Sequence, residues 1–268
     1  MIILHKKFWK KLTLFCYLLP GFLLVNRAVF GQESKEIREQ KQFWWSINST
    51  MRVSERFGVI GDFHIRRNQF VRHSNFYFAR IGGTYWVSDQ LTLVTGYAHL
   101  WLTKSIENSK STFLNENRIY QQIQWRQKTG KVTFVQRIRN EQRWHEVLND
   151  EGEYLRTRFS NRVRFLSSFN VKIFENPKLP SISIADEVHF HFGKEIIYNT
   201  FDQNRIFVGI KVPISNQLKF DIGYMAVYQQ LYSGNVYTFN HTFRWFFYYT
   251  PDFRPKKERI HYALPGDE

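Results

Sequence analysis

Cysteine is nearly absent from the sequence. The 268 residues contain one, Cys16, which lies inside a short apolar run at residues 12–25. Four lysines precede this run, and the small residues Ala28 and Gly31 follow it. That order of basic, apolar and small residues is typical of a secretory signal peptide at residues 1–31, cleaved after Gly31. The exported chain would then hold no cysteine, which excludes disulfides, thiol catalysis and cysteine metal sites.

Long apolar runs are also scarce. The run at residues 12–25 spans about 14 residues, whereas a membrane-spanning helix needs about 20, so a retained membrane anchor is the weaker alternative to a cleaved signal. The mean hydropathy of −0.44 gives no indication of a second run of this kind. If the exported chain crosses a membrane, it must therefore do so with strands.

Acidic residues are few compared with basic ones. The chain has 23 Asp and Glu against 38 Lys and Arg, a net charge of +15. Residues 1–31 carry five of the positive charges and no acid, so the exported chain keeps a charge of about +10. This excess indicates an anionic partner. Nucleic acid is not expected, because an exported chain that encloses its arginines at every second residue could not meet a duplex.

A strand-like alternation of charged and apolar residues is the strongest pattern that is present. In residues 155–165, Arg156, Arg158, Arg162 and Arg164 share one parity and mostly apolar residues share the other. Successive side chains of a strand point to opposite faces. The segment therefore predicts a strand with one cationic face and one mostly apolar face.

The preceding segment has the same period. Arg137, Arg139, Glu141 and Arg143 share one parity there. Two neighbouring strands thus direct guanidinium groups to the same side, which would be the solvent side of a soluble sandwich or the lumen of a membrane barrel.

The composition favours the membrane barrel. Aromatic residues make up 18% of the chain, and short alternating segments recur between turn signals. Both features are typical of outer-membrane barrels. We predict an all-β fold, an antiparallel up-and-down transmembrane β-barrel, with a soluble sandwich as the alternative. The alternation marks eleven segments, but bacterial barrels normally have an even strand number, so about 12 strands are predicted and 10 are possible.

The predicted organisation has four parts. They are a signal peptide at residues 1–31, a flexible leader at 32–41, an outer-membrane β-barrel at 42–249 and a C-terminal tail at 250–268. Short turns are expected at one end of the barrel and longer loops at the other. The last predicted strand carries an aromatic series that would suit a girdle at the membrane interface, namely Phe243, Trp245, Phe247 and Tyr249.

The predicted lumen carries a charge cluster. Its members are Arg137, Arg139, Glu141, Arg143, Arg156, Arg158, Arg162, Arg164, Glu116 and Glu187. Charges removed from bulk water need partners, so a salt-bridged polar interior is the simplest interpretation. An anion-attracting pore is the alternative, because arginine presents a rigid fork that suits phosphate and carboxylate groups.

No catalytic, cofactor-binding or metal-binding motif stands out. His189 and His191 share a face with Glu187, but sequence spacing cannot bring a serine nucleophile or a second ligand pair to them. The sequence also lacks a Gly-x-Ser-x-Gly elbow. We therefore expect neither an enzyme nor a cofactor.

Several short segments resemble one known family. They are Phe43-Trp44-Trp45 with the turn Val53-Ser54-Glu55-Arg56, the segment at residues 137–143, and Leu155-Arg156-Thr157-Arg158. The chain resembles, over residues 42–249, the exported Gram-negative proteins filed as domain of unknown function 2490, common in Bacteroidota. This resemblance implies an outer-membrane barrel without established activity, and it supplies no catalytic residues. The chain departs from the usual barrel pattern after the aromatic strand. Many barrels end on an aromatic residue, whereas here residues 250–268 follow that strand.

These observations lead to one expected function. We expect a non-enzymatic outer-membrane barrel, structural or porin-like, with an arginine-rich lumen that suits a small anionic solute. The alternatives are a barrel enzyme acting on lipid or lipopolysaccharide, and a soluble periplasmic barrel or sandwich that binds a lipid-like ligand. The expected partners are outer-membrane lipid and the barrel assembly machinery during biogenesis, and the chain is expected to be a monomer.

Overall fold

A computed structural model describes residues 35–106 and 111–255. The predicted signal peptide at residues 1–31 lies outside the described residues. Within the described residues, no helix is long and apolar enough to cross a membrane.

The described residues form eleven strands in an all-β fold. The strands are β1 (Glu36–Arg52), β2 (Phe57–Asn68), β3 (His73–Trp86), β4 (Leu91–Ser105), β5 (Ser111–Thr129), β6 (Val132–Leu148), β7 (Tyr154–Lys172), β8 (Ser181–Phe192), β9 (Phe201–Pro213), β10 (Leu218–Gln230) and β11 (Val236–Tyr249). They close into one barrel in which each strand pairs with its neighbours in sequence. The predicted β-barrel fold is confirmed.

The barrel closes through a parallel pair. β1 and β11 run in the same direction, from Glu36 opposite Val236 to Ser49 opposite Tyr249, while the other ten pairs are antiparallel. Two predictions are therefore corrected. The described residues give eleven strands rather than 12 or 10, and the barrel is antiparallel except at its closure. An odd number of strands in simple up-and-down order makes the first and last run the same way.

The predicted flexible leader is largely part of the wall. From Glu36 onward its residues belong to β1, where they pair with the first half of β11. This segment is mostly charged and shows no alternation of apolar and polar residues, so its sequence did not predict a strand. The barrel therefore begins at Glu36 rather than at residue 42.

β4 and β5 remain paired up to the connection between them, where residues 103–105 lie opposite residues 111–113. The connections are two to eight residues long at one end of the barrel and four to eight at the other. The expected contrast between short turns and long loops is therefore wrong, because polar strand ends resemble loops in sequence.

The two faces of the wall differ in burial. On β2, Asp62 and His64 are buried inside, while Phe63 between them is exposed outside. On β10, Met225 and Val227 are buried inside, whereas Tyr224 is exposed outside. Inside, two apolar clusters fill part of the barrel: Trp44, Ala185, Phe207, Met225 and Val227 form one, and Ile60, Val94 and Tyr120 form the other.

Glycine makes room for one of these clusters. Gly82 and Gly96 lie opposite each other on β3 and β4. A Cβ atom at Gly82 would lie 2.6 Å from Tyr120 Oη, closer than real Cβ contacts allow. The missing side chains therefore let the ring of Tyr120 lie against the wall.

The first residues after β11 bind back to the end of β1. Arg52 N–H donates a hydrogen bond to Pro251 O (3.1 Å), and Phe253 N–H donates one to Arg52 O (2.9 Å). Asp252 accepts hydrogen bonds from the buried Arg254 side chain, with the shortest at 2.7 Å. The start of the predicted tail is thus held beside the turn between β1 and β2. Residues 256–268 lie outside the described residues.

A cationic cavity inside the barrel as the candidate functional site

A cavity of about 360 Å³ lies inside the barrel, and basic side chains dominate its lining. Strand alternation places these side chains there, since each belongs to the inward face of its strand. The ionisable lining consists of eleven cations and three carboxylates: Arg66, Arg80, Arg118, Arg137, Arg139, Arg143, Arg162, Arg164, Arg205, Arg244 and Lys211, with Glu116, Glu187 and Asp221.

Glu116 is the fully buried carboxylate at one end of this network. Arg143 donates hydrogen bonds to both of its oxygens, at 2.5 and 3.0 Å. Arg118 donates a third at 2.6 Å, and His145 Nδ1 lies 3.1 Å from Oε2. Two guanidinium groups thus share one carboxylate.

Glu141 continues the network across β6 and β7. It accepts two hydrogen bonds from Arg162, at 2.8 and 2.5 Å, and one from Arg164 at 2.8 Å. Arg118 and Arg139 approach it at 3.6 and 3.8 Å. Four arginines therefore share this carboxylate.

Glu187 on β8 has several cationic neighbours as well. Arg164 donates to both of its oxygens at 2.8 Å, and Arg137 donates one bond at 2.7 Å. Arg205 contributes a longer bond of 3.4 Å from β9. His189 Nε2 lies 3.0 Å from Oε2.

Asp202 is a buried acid that the sequence analysis missed. Arg162 donates a hydrogen bond to it at 3.1 Å, and His191 Nε2 lies 3.1 Å from the same oxygen. Asp202 and the adjacent Gln203 are both buried, next to a register shift at His189 of β8. A bulge of this kind places consecutive residues on one face, so alternation could not identify Asp202.

The opposite wall contains two separate ion pairs. Arg80 pairs with Asp62 between β3 and β2. Arg244 donates a 2.9 Å hydrogen bond to Asp221 on β10, and Tyr248 hydroxyl donates another to the same oxygen at 2.8 Å.

The interior carries more positive than negative charge. Six inward carboxylates face the eleven lining cations, which leaves five positive charges in excess: the acids are Asp62, Glu116, Glu141, Glu187, Asp202 and Asp221. Arg66 has no carboxylate within 4.0 Å among the described residues, and its guanidinium lies over the rings of Trp44 and Phe76, at 3.4 and 4.6 Å from their centroids. Arg139 donates two hydrogen bonds to neutral Gln122. Such a surface attracts anions.

A family model described as "Protein of unknown function (DUF2490)" matches residues 41–238. The chain belongs to this family. The match confirms the resemblance seen in the sequence. No curated protein matches the chain.

One solved structure is similar to this DUF2490 barrel. It is described as "NanC porin structure in rhombohedral crystal form" and has 12% sequence identity and a TM-score of 0.45. The match covers 71% of this chain and 83% of that chain.

Eight of the ten residues predicted for the charge cluster come together inside the DUF2490 barrel. They are Arg137, Arg139, Glu141, Arg143, Arg162, Arg164, Glu116 and Glu187. Arg156 instead lies exposed at the rim, where it donates a 2.7 Å hydrogen bond to Glu195. Arg158 lies over the ring of Tyr232, 3.9 Å from its centroid. Arg156 shares the inward parity near a strand end without reaching the lumen, so the prediction is corrected for Arg156. Arg158 is half-buried but does not line the cavity.

The sequence analysis also missed part of the cationic lining. The missed residues are Arg66, Arg80, Arg118, Arg205, Arg244 and Lys211. Arg205 and Lys211 share β9 but lie six residues apart, and each of the other four is the single lining arginine or lysine of its strand. Their parity within each strand was the available signal, but a lone or widely spaced base gives no repeated pattern.

The predicted aromatic girdle lies on the outer face of β11: Phe243, Trp245, Phe247 and Tyr249. Phe243 stacks on Phe43 of β1 with ring centroids 5.9 Å apart, and Phe220 of β10 lies 5.7 Å from Phe247. Because the four residues follow one another along a single strand, they form an aromatic strip along the wall. A girdle would require residues of many strands at one level.

The histidines of the DUF2490 barrel contact charged groups. His189 is fully buried beside Glu187 and Asp202, and His191 lies 2.7 Å from Arg143 Nη1. Within residues 35–106 and 111–255, no hydrogen bond joins a serine hydroxyl to a histidine ring, and no group of three or more His, Cys, Asp or Glu side chains could hold a metal ion.

Proposed function

We propose that this protein is a non-enzymatic outer-membrane pore that admits small anions through its arginine-lined interior. The observation that carries the proposal is the lining of the cavity, where eleven cations face three carboxylates. These eleven cations exceed all six inward carboxylates by five positive charges, which would favour an anion over a cation at this point.

The outer surface supports a position in the membrane. Ile81, Ile123 and Val208 point outward and are 62%, 52% and 51% exposed. The strands are 12 to 19 residues long, and a tilted strand needs about 9 to 11 residues to cross a bilayer. Closure of the barrel pairs the backbone groups that hydrocarbon could not solvate.

The arrangement of arginines supports anions as the solutes. Each of Glu116, Glu141 and Glu187 is shared by two or more arginines, so the carboxylates hold the guanidinium groups in place without neutralising all of them. Arg66 has no carboxylate within 4.0 Å among the described residues, and its guanidinium lies over the rings of Trp44 and Phe76. A cavity of about 360 Å³ lies at the lower end of the range for small-molecule sites, which favours a small solute.

The test is the conductance of the refolded protein in a planar bilayer with a salt gradient. We expect steady current with a reversal potential on the anion side. Arg66→Gln should shift the reversal potential toward zero, because it removes a cation that has no carboxylate partner. Arg156→Gln is the matched control, since Arg156 lies exposed at the rim, and it should leave selectivity unchanged.

Two outcomes would contradict the proposal. Inserted and folded protein that carries no current would favour an interior filled by its own ion pairs. Protein that leaves the membrane without detergent would favour the soluble lipid-binding alternative.

A further inference from the structure

Part of the outer wall on β5, β6 and β7 carries neutral amide side chains. We call five of these outward residues the amide patch: Asn117, Gln121, Asn140, Gln142 and Asn161. Across the strands Gln121 lies opposite Asn140, and Gln142 lies opposite Asn161. The patch is therefore one continuous surface.

Aromatic residues on the same strands place the amide patch within the apolar band. On β6, Phe134 and Trp144 point outward and lie ten residues apart. Ten residues of strand span about 33 Å, and a tilt of about 40° reduces this to about 25 Å, the height of the apolar band of a barrel. Phe134 contacts Trp125 at one end, and Trp144 contacts Phe159 at the other. Asn140 and Gln142 lie between these two levels.

The amides satisfy only part of their hydrogen-bonding capacity within the chain. Gln121 and Gln142 exchange hydrogen bonds of 3.1 and 3.2 Å, and Asn140 donates one of 3.3 Å to Gln121. Asn161 has no side-chain hydrogen bond to another described residue. Each amide has two N–H donors and an oxygen with two lone pairs, and lipid offers no partner for those that remain.

The outward face of β9 differs from the amide patch. On β9 the outward residues Ile206, Val208 and Ile210 are exposed and apolar, as lipid requires. The patch itself is interspersed with exposed Ile119 and Ile138, so it combines apolar contact area with neutral hydrogen-bonding groups. Interfaces between membrane proteins use polar side chains in this way.

We propose that the amide patch is the contact surface between two copies of this chain in the membrane. An amide is both donor and acceptor, so an identical patch is complementary to it, and the absence of charge in the patch avoids repulsion. Two copies inserted in the same direction are related by a two-fold axis along the membrane normal. With the axis on β6, Gln142 faces its own copy, and β5 faces β7 of the second copy. This dimer would replace the monomer that was expected by default from the sequence.

Cysteine cross-linking in membranes tests this proposal, which depends on the membrane position but not on conduction. In a Cys16→Ser background, Gln142→Cys should form a disulfide-linked species of twice the chain mass on mild oxidation. Val208→Cys is the matched control, because residue 208 is exposed on another part of the outer wall, and it should remain monomeric.

A second measurement covers the wild-type chain. Native mass spectrometry after detergent extraction should give a dimer, and the double variant Asn140→Leu with Gln142→Leu should give a folded monomer. A monomeric wild type, or a cross-linked species that contains a different protein, would overturn the proposal. Release from membranes without detergent would instead contradict the membrane position on which it rests.

Discussion

Glu116→Gln offers the sharpest test of the charge network. The substitution keeps the shape of the side chain and removes its charge, while Glu116 is fully buried and pairs with Arg118 and Arg143. Removing one partner of a buried ion pair leaves an uncompensated charge and costs about 3 to 5 kcal/mol. We therefore expect the free energy of unfolding to fall by about this amount.

The same substitution should increase the selectivity for anions although it lowers the stability. Loss of one carboxylate raises the excess of inward positive charge, so the reversal potential should move further toward the anion side. A barrel that is less stable but more anion-selective is difficult to explain by general damage to the fold, because damage would reduce both properties.

The assay is equilibrium unfolding in denaturant with the protein refolded into lipid vesicles, followed by tryptophan fluorescence. The control is Glu195→Gln, since Glu195 pairs with Arg156 and the two side chains are 35% and 55% exposed. Exposed pairs contribute about 0 to 1 kcal/mol. Equal losses of stability in the two variants would refute the conclusion that the Glu116 network is shielded from water.

Three further predictions concern other parts of the molecule. Ile81→Arg places a charge on the lipid-facing wall and should cost about 2 to 4 kcal/mol if Ile81 lies near the bilayer midplane, as measured by the same unfolding assay; a neutral result would contradict the membrane position. Gly82→Ala should lower the unfolding midpoint because its Cβ would lie 2.5 Å from Thr95 O and 2.6 Å from Tyr120 Oη, and Tyr120→Phe should relieve only the part of that loss due to the hydroxyl. Asp252→Ala removes the acceptor of Arg254 and should increase proteolytic cleavage after β11, whereas unchanged cleavage would show that the tail start is held by backbone bonds alone.

The alternation of side chains was sufficient to predict the wall and its two faces. Arg162 and Arg164 on β7 share a parity with each other, and their neighbours Asn161 and Val163 do not. This pattern depends only on strand geometry, which every strand obeys. It therefore also predicted that Glu141 and Glu187 would be near these arginines, although it could not tell which pairs form.

The pairing of charges could not be predicted because it depends on register between strands. Glu187 meets Arg164 on β7 and Arg205 on β9, and a shift of two residues would preserve every face while changing these partners. Asp202 was not predicted for a related reason, because the bulge beside it interrupts the alternation on which the prediction relied.

The closure of the barrel explains the error in strand number. Side chains alternate in the same way in parallel and antiparallel pairs, so the sequence of β1 contains no sign that its neighbour β11 runs parallel to it. The even-number expectation assumed that both chain ends lie on the same side of the membrane. In this barrel Glu36 and the end of β11 at Tyr249 lie at opposite ends of the wall. The eleven alternating segments were the better guide, because each is direct evidence of a strand, whereas the parity of their number is a property of other barrels.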